Sequence, residues 1–353
     1  MREPLLRLGP DLVRLVAEID EFKGRWDALA RLPPERLEGL RRDAKVESVG
    51  SSTRLEGAQL SDPQVEAMLF GMVIKSFKTR DGQEAAGYAQ AIDLVCGSFR
   101  DLRLTEDQIR RLHQILLRHS DRDPRHGGAY KTLPHHVMAV DTAGRQIGIL
   151  SSTASPSATP REMQQLVAWT QEAIAEQALH PLLIAAVFTV KLLAIHPFQH
   201  GNGPLARVLT LLLLLQAGYA YVPFASLERV IEENREFYYR ALRRTQATLN
   251  DETPDWEPWI GCFLRCLKQQ KDQLAVRLER ERAAGAVEDE LTDLSRQVLA
   301  AVREQQRITI GQLVSMTGAN RNTLKLRLRE LVQAERLRQH GKARATWYSI
   351  SAG

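Results

Sequence analysis

Apolar residues recur at helical spacing along most of the chain. Residues 10–45 carry amphipathic patterns broken at Pro33-Pro34, and residues 83–100 and 105–119 repeat the pattern. Helices are predicted to dominate from Arg161 to Leu274. Two stretches are apolar on every face: LLIAAVFTVKLLAI after His180-Pro181, and LARVLTLLLLLQAG after Pro204, closed by Gly218. Both predict buried helices. Ser48 to Gly57 (SVGSSTRLEG) reads as an interruption, after which Ser61-Asp62-Pro63 opens a helix capped by Ser61 or Asp62. The pattern changes between Arg125 and Ser157, where scattered glycines, β-branched residues and the turn signal Thr142-Ala143-Gly144 predict a short hairpin. Residues 275–290 are charged and contain Gly285, which reads as a linker. The fold class is mainly α.

Composition narrows the setting. With 353 residues, 44% hydrophobic and 26% charged, the chain fits a globular protein of two or three domains. The longest apolar run, Val208 to Leu215, is too short to span a bilayer. A cytoplasmic protein with no membrane partner is expected. Cys96, Cys262 and Cys266 make no disulfide framework, and Cys262 and Cys266, four apart on a helix with no second ligand pair, predict core packing. No metal site is expected from them. Charge is unevenly spread. From Leu291 onward eleven basic residues face four acidic ones, a surplus of seven. The whole chain carries +5, so residues 1–290 carry −2. The C-terminal stretch therefore reads as a module with a polyanionic partner.

Residues 196–207 read HPFQHGNGPLAR, between the two buried helices. A Gly-Asn-Gly turn at a helix N-terminus offers backbone amides and a positive dipole end to a phosphate. His196 stands at its entrance as a proton acceptor, and Arg207 lies one helical turn inside. The turn alone is equally a corner between two core helices. In its full spacing the segment resembles the Fic signature H-x-F-x-[DE]-G-N-G-R-x-x-R. His196, Phe198, Gly201, Asn202, Gly203 and Arg207 match, while His200 replaces the acidic residue and Pro204 the first Arg.

The resemblance implies a Fic-type helical core over about residues 45–265 and transfer of AMP from ATP to a Ser, Thr or Tyr hydroxyl of a target protein. It implies that His196 is the general base, that Gly201, Asn202 and Gly203 cradle phosphates, that Arg207 holds the terminal phosphates and that Phe198 anchors the loop. The family's acidic residue holds Mg²⁺, a hard cation that His200 nitrogen fits poorly. Pro204 removes a cation and an N–H, although its fixed φ suits a first helical turn. Two readings stay open: an AMP transferase, or a catalytically impaired Fic domain serving a transcription regulator.

Ser52-Thr53-Arg54-Leu55-Glu56-Gly57 resembles the family's inhibitory motif [ST]-x-x-x-E-[GN]. This implies that Glu56, with Ser52, pairs with Arg207 and blocks the terminal-phosphate position; the plain alternative is a helix end before Gly57. Gly128-Ala129-Tyr130-Lys131 resembles the segment ahead of a target-docking hairpin at 132–152, whose edge would pair with a target strand. Asn234 to Tyr239 resembles the family's closing helix, where Tyr238 and Tyr239 border the adenine or pack. His113, His126, His135 and His136 show no metal spacing.

The domains expected are an N-terminal helical region with the inhibitory motif (1–100), the core (101–274), the linker (275–290) and a winged helix (291–353). In the last, the order helix, strand, helix, turn, helix, hairpin resembles a winged helix over about residues 291–350. Arg321, Asn322, Thr323 and Lys325 would enter the major groove of duplex DNA, and Arg338, Lys342 and Arg344 on the wing would meet phosphates. A protein-docking module is the alternative. A homo-oligomer is compatible with this sequence.

Overall fold

The computed structural model describes residues 6, 8–71, 79–120, 127–134, 136–140, 146–289, 292–341 and 346–351. The chain divides into two compact units, Met1–Val276 and Arg277–Gly353. No helix among the described residues is long and apolar enough to cross a membrane.

The first unit is helical apart from one hairpin. Its helices are α1 (Pro10–Leu29), α2 (Pro34–Leu55), α3 (Asp62–Phe70), α4 (Arg80–Ser98), α5 (Glu106–Leu116), α6 (Thr159–Ala175), α7 (Pro181–Ile195), α8 (Asn202–Gln216), α9 (Leu227–Glu233), α10 (Arg235–Thr248) and, as far as Val276, α11 (Glu257–Asp289). The hairpin pairs β1 (His136–Val140) antiparallel with β2 (Gln146–Ser152), with two register shifts along the ladder. The expected turn at Thr142-Ala143-Gly144 lies outside the described residues.

α7 and α8 form the centre, because their apolar residues face every direction and must be covered on every side. α6 packs on α7, and α4 and α5 pack on α8. Between the two central helices Thr189 and Thr210 hydrogen-bond at 2.8 Å, and each hydroxyl also reaches the carbonyl four residues back. Trp259 is fully buried, and its indole N–H donates to the Ala186 carbonyl at 2.7 Å. These three polar side chains therefore find partners, as burial requires.

α2 departs from the sequence expectation. Ser48 to Gly57 was expected to interrupt the helix, yet α2 continues to Leu55. Val49, Gly50, Ser51, Ser52 and Thr53 are all buried, and α2 packs along α4 and α9. Tertiary burial overrides the weak helix propensity of this glycine–serine–threonine run. Thr53 satisfies its hydroxyl locally, donating to the Val49 and Gly50 carbonyls. α3 starts as expected, with Ser61 as N-cap and Gln64 completing the capping box. Residues 275–289, read as a linker from charge and Gly285, are the last turns of α11.

The second unit contains α12 (Asp293–Gln305), β3 (Ile308–Thr309), α13 (Ile310–Thr317), α14 (Arg321–Gln333), β4 (Leu337–His340) and β5 (Trp347–Ile350). The strands form one antiparallel sheet in the order β3-β5-β4. Val298, Val302, Ile308, Leu313, Leu324, Leu328, Leu331 and Leu337 build its core. This element order is the expected one and is compatible with a winged-helix-like domain.

Candidate active site

His196 caps α7 in the left-handed conformation, at φ 52° and ψ 63°, with its N–H donating to the Leu192 carbonyl at 2.8 Å. A bulky non-glycine residue is strained there and persists only where its surroundings impose the geometry. One buried lysine holds the backbone on both sides. Lys131 Nζ donates to the Ile195 carbonyl and to Thr153 Oγ1, each at 2.8 Å. The Lys131 N–H donates to the Pro197 carbonyl at 2.9 Å. Burial pushes the Lys131 ammonium down to about 8, against a small opposing pull from Glu162.

The loop after His196 is fixed by two further contacts. Phe198 is fully buried and stacks on the His113 ring, centroids 3.8 Å apart. The Gly128 N–H donates to His113 Nδ1 at 2.9 Å, which assigns the His113 proton to Nε2, where it donates to the His200 carbonyl at 2.9 Å. Asn202 turns its side chain inward, accepting from the Phe198 N–H at 2.9 Å and donating to the Phe198 carbonyl at 2.7 Å. It thus staples the loop, and only its backbone faces the turn. Gly201 precedes α8 at φ 76°, a conformation favouring glycine. The first turn of α8 presents the amides of Asn202 and Gly203, but Pro204 has none to offer.

Arg207 is buried beneath this turn. Its Nε and Nη2 donate to Ser52 Oγ at 3.1 and 3.0 Å, and Nη2 also reaches the Ser52 carbonyl at 3.2 Å and Glu56 Oε1 at 2.9 Å. Burial alone would lower its pKa; the Glu56 carboxylate, with Tyr88 and Tyr239 nearby, raises it instead. A Cβ on Gly203 would collide with the Glu56 carboxylate, so glycine is needed for this approach. Glu56 also ends α2, and Gly57 follows at φ 98°.

Arg54 fastens the end of α2. It donates from Nε and Nη2 to the two Glu232 oxygens at 2.7 and 2.9 Å, and from Nη1 to Asp62 Oδ1 at 2.9 Å and the Leu60 carbonyl at 2.8 Å. Burial works against charge on Glu232, but the Arg54 hydrogen bonds dominate and hold its carboxyl below the usual range. Arg229 adds a bond to Asp62 at 3.1 Å.

These elements enclose a cavity of about 220 Å³, lined by Ser52 and Glu56, by Arg80, Glu84 and Tyr88 of α4, and by His196 and residues 199–204. His200 offers nitrogen where a hard cation wants oxygen. Among the described residues no group of three or more His, Cys, Asp or Glu side chains could hold a metal. His200 therefore does not offer Mg²⁺ the oxygen ligand that the signature implies.

The Fic/DOC family profile matches residues 103–214, from just before α5 to the last turn of α8. Residues 103–214 are thus similar to a Fic/DOC domain. Relatives include the protein adenylyltransferase fic-1 of Caenorhabditis elegans, 28% identical over 57% of this chain and 36% of the relative. Protein adenylyltransferase Fic of Drosophila grimshawi is 26% identical over 73% of this chain and 48% of the relative. The chain thus spans about a third to a half of the length of these curated relatives. Among solved structures, a Fic family protein from Desulfovibrio desulfuricans aligns with a TM-score of 0.67 at 23% identity, covering 100% of this chain and 99% of that one. A Fic domain containing signaling protein from Bacteroides thetaiotaomicron gives 0.54 at 25% identity, over 75% and 93%. Residues 283–346 match a profile for a bacterial protein family of unknown function.

The fold brings His196, residues 201–203, Arg207, Ser52 and Glu56 together, although Ser52 and Arg207 lie 155 positions apart. Sequence reading missed the contacts made by Lys131, His113 and Arg54. A signal for His113 existed: it occupies the apolar phase of α5 with Ile109, Leu112 and Leu116. Tyr238 is buried and packs edge-on against Trp259, centroids 5.1 Å apart. His126 and His135 lie outside the described residues.

In the second unit Arg321, Asn322, Thr323 and Lys325 are exposed on α14, as is Arg338 on β4. Lys342 and Arg344 lie outside the described residues. Leu326 is also exposed, on the same solvent side of α14 as Asn322.

Proposed function

We propose that the Fic domain transfers AMP from ATP to a hydroxyl of a target protein, and that Glu56 holds it in check. The target oxygen attacks the α-phosphorus, the bond to the β-phosphate oxygen breaks, pyrophosphate leaves, and His196 takes the hydroxyl proton. The amides of Asn202 and Gly203 stabilise phosphate charge. Arg207 is the cation for the terminal phosphates, and Glu56 with Ser52 occupies it. The Glu56–Arg207 pair at 2.9 Å is the observation that carries this reading, because a brake has a use only where there is activity to restrain. The hairpin β1–β2 is the surface for the target strand.

The test is incorporation of labelled AMP into candidate targets by the full chain. Glu56→Gly is expected to label well above wild type, and His196→Ala in that background is expected to abolish labelling. Labelling that survives His196→Ala would remove His196 as the base. A second reading, nucleotide sensing without transfer, draws on His200 and Pro204. It wins if Glu56→Gly binds ATP but labels nothing. The C-terminal unit, with its charge surplus and exposed α14 cations, is proposed to bind duplex DNA in either case.

A further inference from the structure

Pro204 leaves the first turn of α8 without the cation that the Fic signature places there. We infer that Arg80, on α4 across the cavity and outside the signature, supplies the missing charge to the phosphates of a nucleotide. The inference rests on the nucleotide reading of this site.

Three observations carry it. Arg80, Glu84 and Tyr88 are spaced four apart, so they project from one face of α4, and all three line the cavity with Gly201, Asn202, Gly203 and Pro204. Among the described residues that line the cavity Arg80 is the one guanidinium or ammonium, because Arg207 lies sealed behind Ser52 and Glu56. Finally, Arg80 is held lightly. Among the described residues it pairs with Glu84, at 2.8 Å, with the Arg80 side chain 55% exposed. Such an exposed pair one turn apart on a helix is weak and is readily exchanged for a phosphate. Arg54, by contrast, is locked by Glu232, Asp62 and a backbone carbonyl.

A polyphosphate entering the cavity thus meets two amides on one wall and a guanidinium on the other. Glu84 is the resting counter-charge, and its carboxylate is released when Arg80 turns to the ligand.

ATP binding by calorimetry, on the full chain in a Glu56→Gly background, tests this. Arg80→Met keeps the stem and removes the charge, and is expected to weaken ATP binding about tenfold or more. Arg80→Lys is expected to restore most of the loss, and both variants should melt as the parent does without ligand. Glu84→Gln is expected to tighten ATP binding severalfold. Arg80→Met binding ATP within twofold of a parent that binds overturns the inference alone. So does equal weakening by Arg80→Met and Arg80→Lys, which would assign the effect to packing. A Glu56→Gly parent that binds no ATP sinks the nucleotide reading itself, and this inference falls with it.

Discussion

At the scale of single residues, the His196 conformation depends on one side chain that is not near it in sequence. The Lys131 side chain holds the Ile195 carbonyl while its backbone N–H holds the Pro197 carbonyl, and loss of the side chain should be felt in two ways. Lys131→Met leaves the Ile195 carbonyl without its buried donor, a change that costs about 1–3 kcal/mol. The pH dependence gives a second signature. The folded-state value of about 8 lies below the ordinary 10.5. Between these values the unfolded chain binds the proton and the folded chain does not. Stability therefore rises with pH through this window, and the penalty is fully present below about pH 8. Urea unfolding at pH 7.5 and 9.5 should show a larger gain for wild type than for Lys131→Met. Equal slopes would mean that Lys131 is not desolvated in solution. His113 works in the same manner, since one neutral ring spans two backbone segments.

At the scale of elements, α2 couples fold to function. Its C-terminal turn carries Ser52 and Glu56 to Arg207 while Arg54 binds α9 through Glu232. Gly50 is the residue that lets these parts meet: a Cβ there would lie 2.7 Å from both Arg54 Nη1 and Asp62 Oδ1. Helix propensity alone predicts that Gly50→Ala stabilises the helix by about 1 kcal/mol. Displacing Arg54 from a bidentate, partly buried ion pair should cost more, so a net loss of about 1 kcal/mol is expected. The end of α2 should also loosen, and ATP should bind more tightly than to wild type. Chemical denaturation and calorimetry on one sample would measure both. A stabilised protein with unchanged ATP affinity would detach the Arg54 network from the Glu56 contact.

At the scale of the whole molecule, the positive charge is concentrated toward the C-terminal end of the chain. The C-terminal residues from Leu291 carry +7 against −2 for the rest. If α14 and the wing make about four to six phosphate contacts, DNA affinity should fall roughly four to five log units per tenfold rise in salt. Gel shifts of the full chain at two salt concentrations would measure this slope. Arg338→Ala should weaken binding to all sequences alike, and Arg321→Ala should relax sequence preference. The absence of any shift at low salt would make the second unit a protein-docking module, for which exposed Leu326 on α14 is suited.

By itself the sequence determined the helical class, the central pair α7 and α8, the cap at Ser61, the loop from His196 to Arg207 and the position of the charge. These are local properties: periodicity, turn chemistry and charge are written in neighbouring residues. Tertiary structure alone decided that Ser48–Leu55 is helical, because its small residues pack between α4 and α9 and burial outweighs propensity. It also brought Lys131 and His113 to the backbone around His196, and placed Arg80 across the cavity from Pro204. None of these pairings has a sequence period. They arise where helices distant along the chain pack side by side, and packing chooses the partners of a buried polar group.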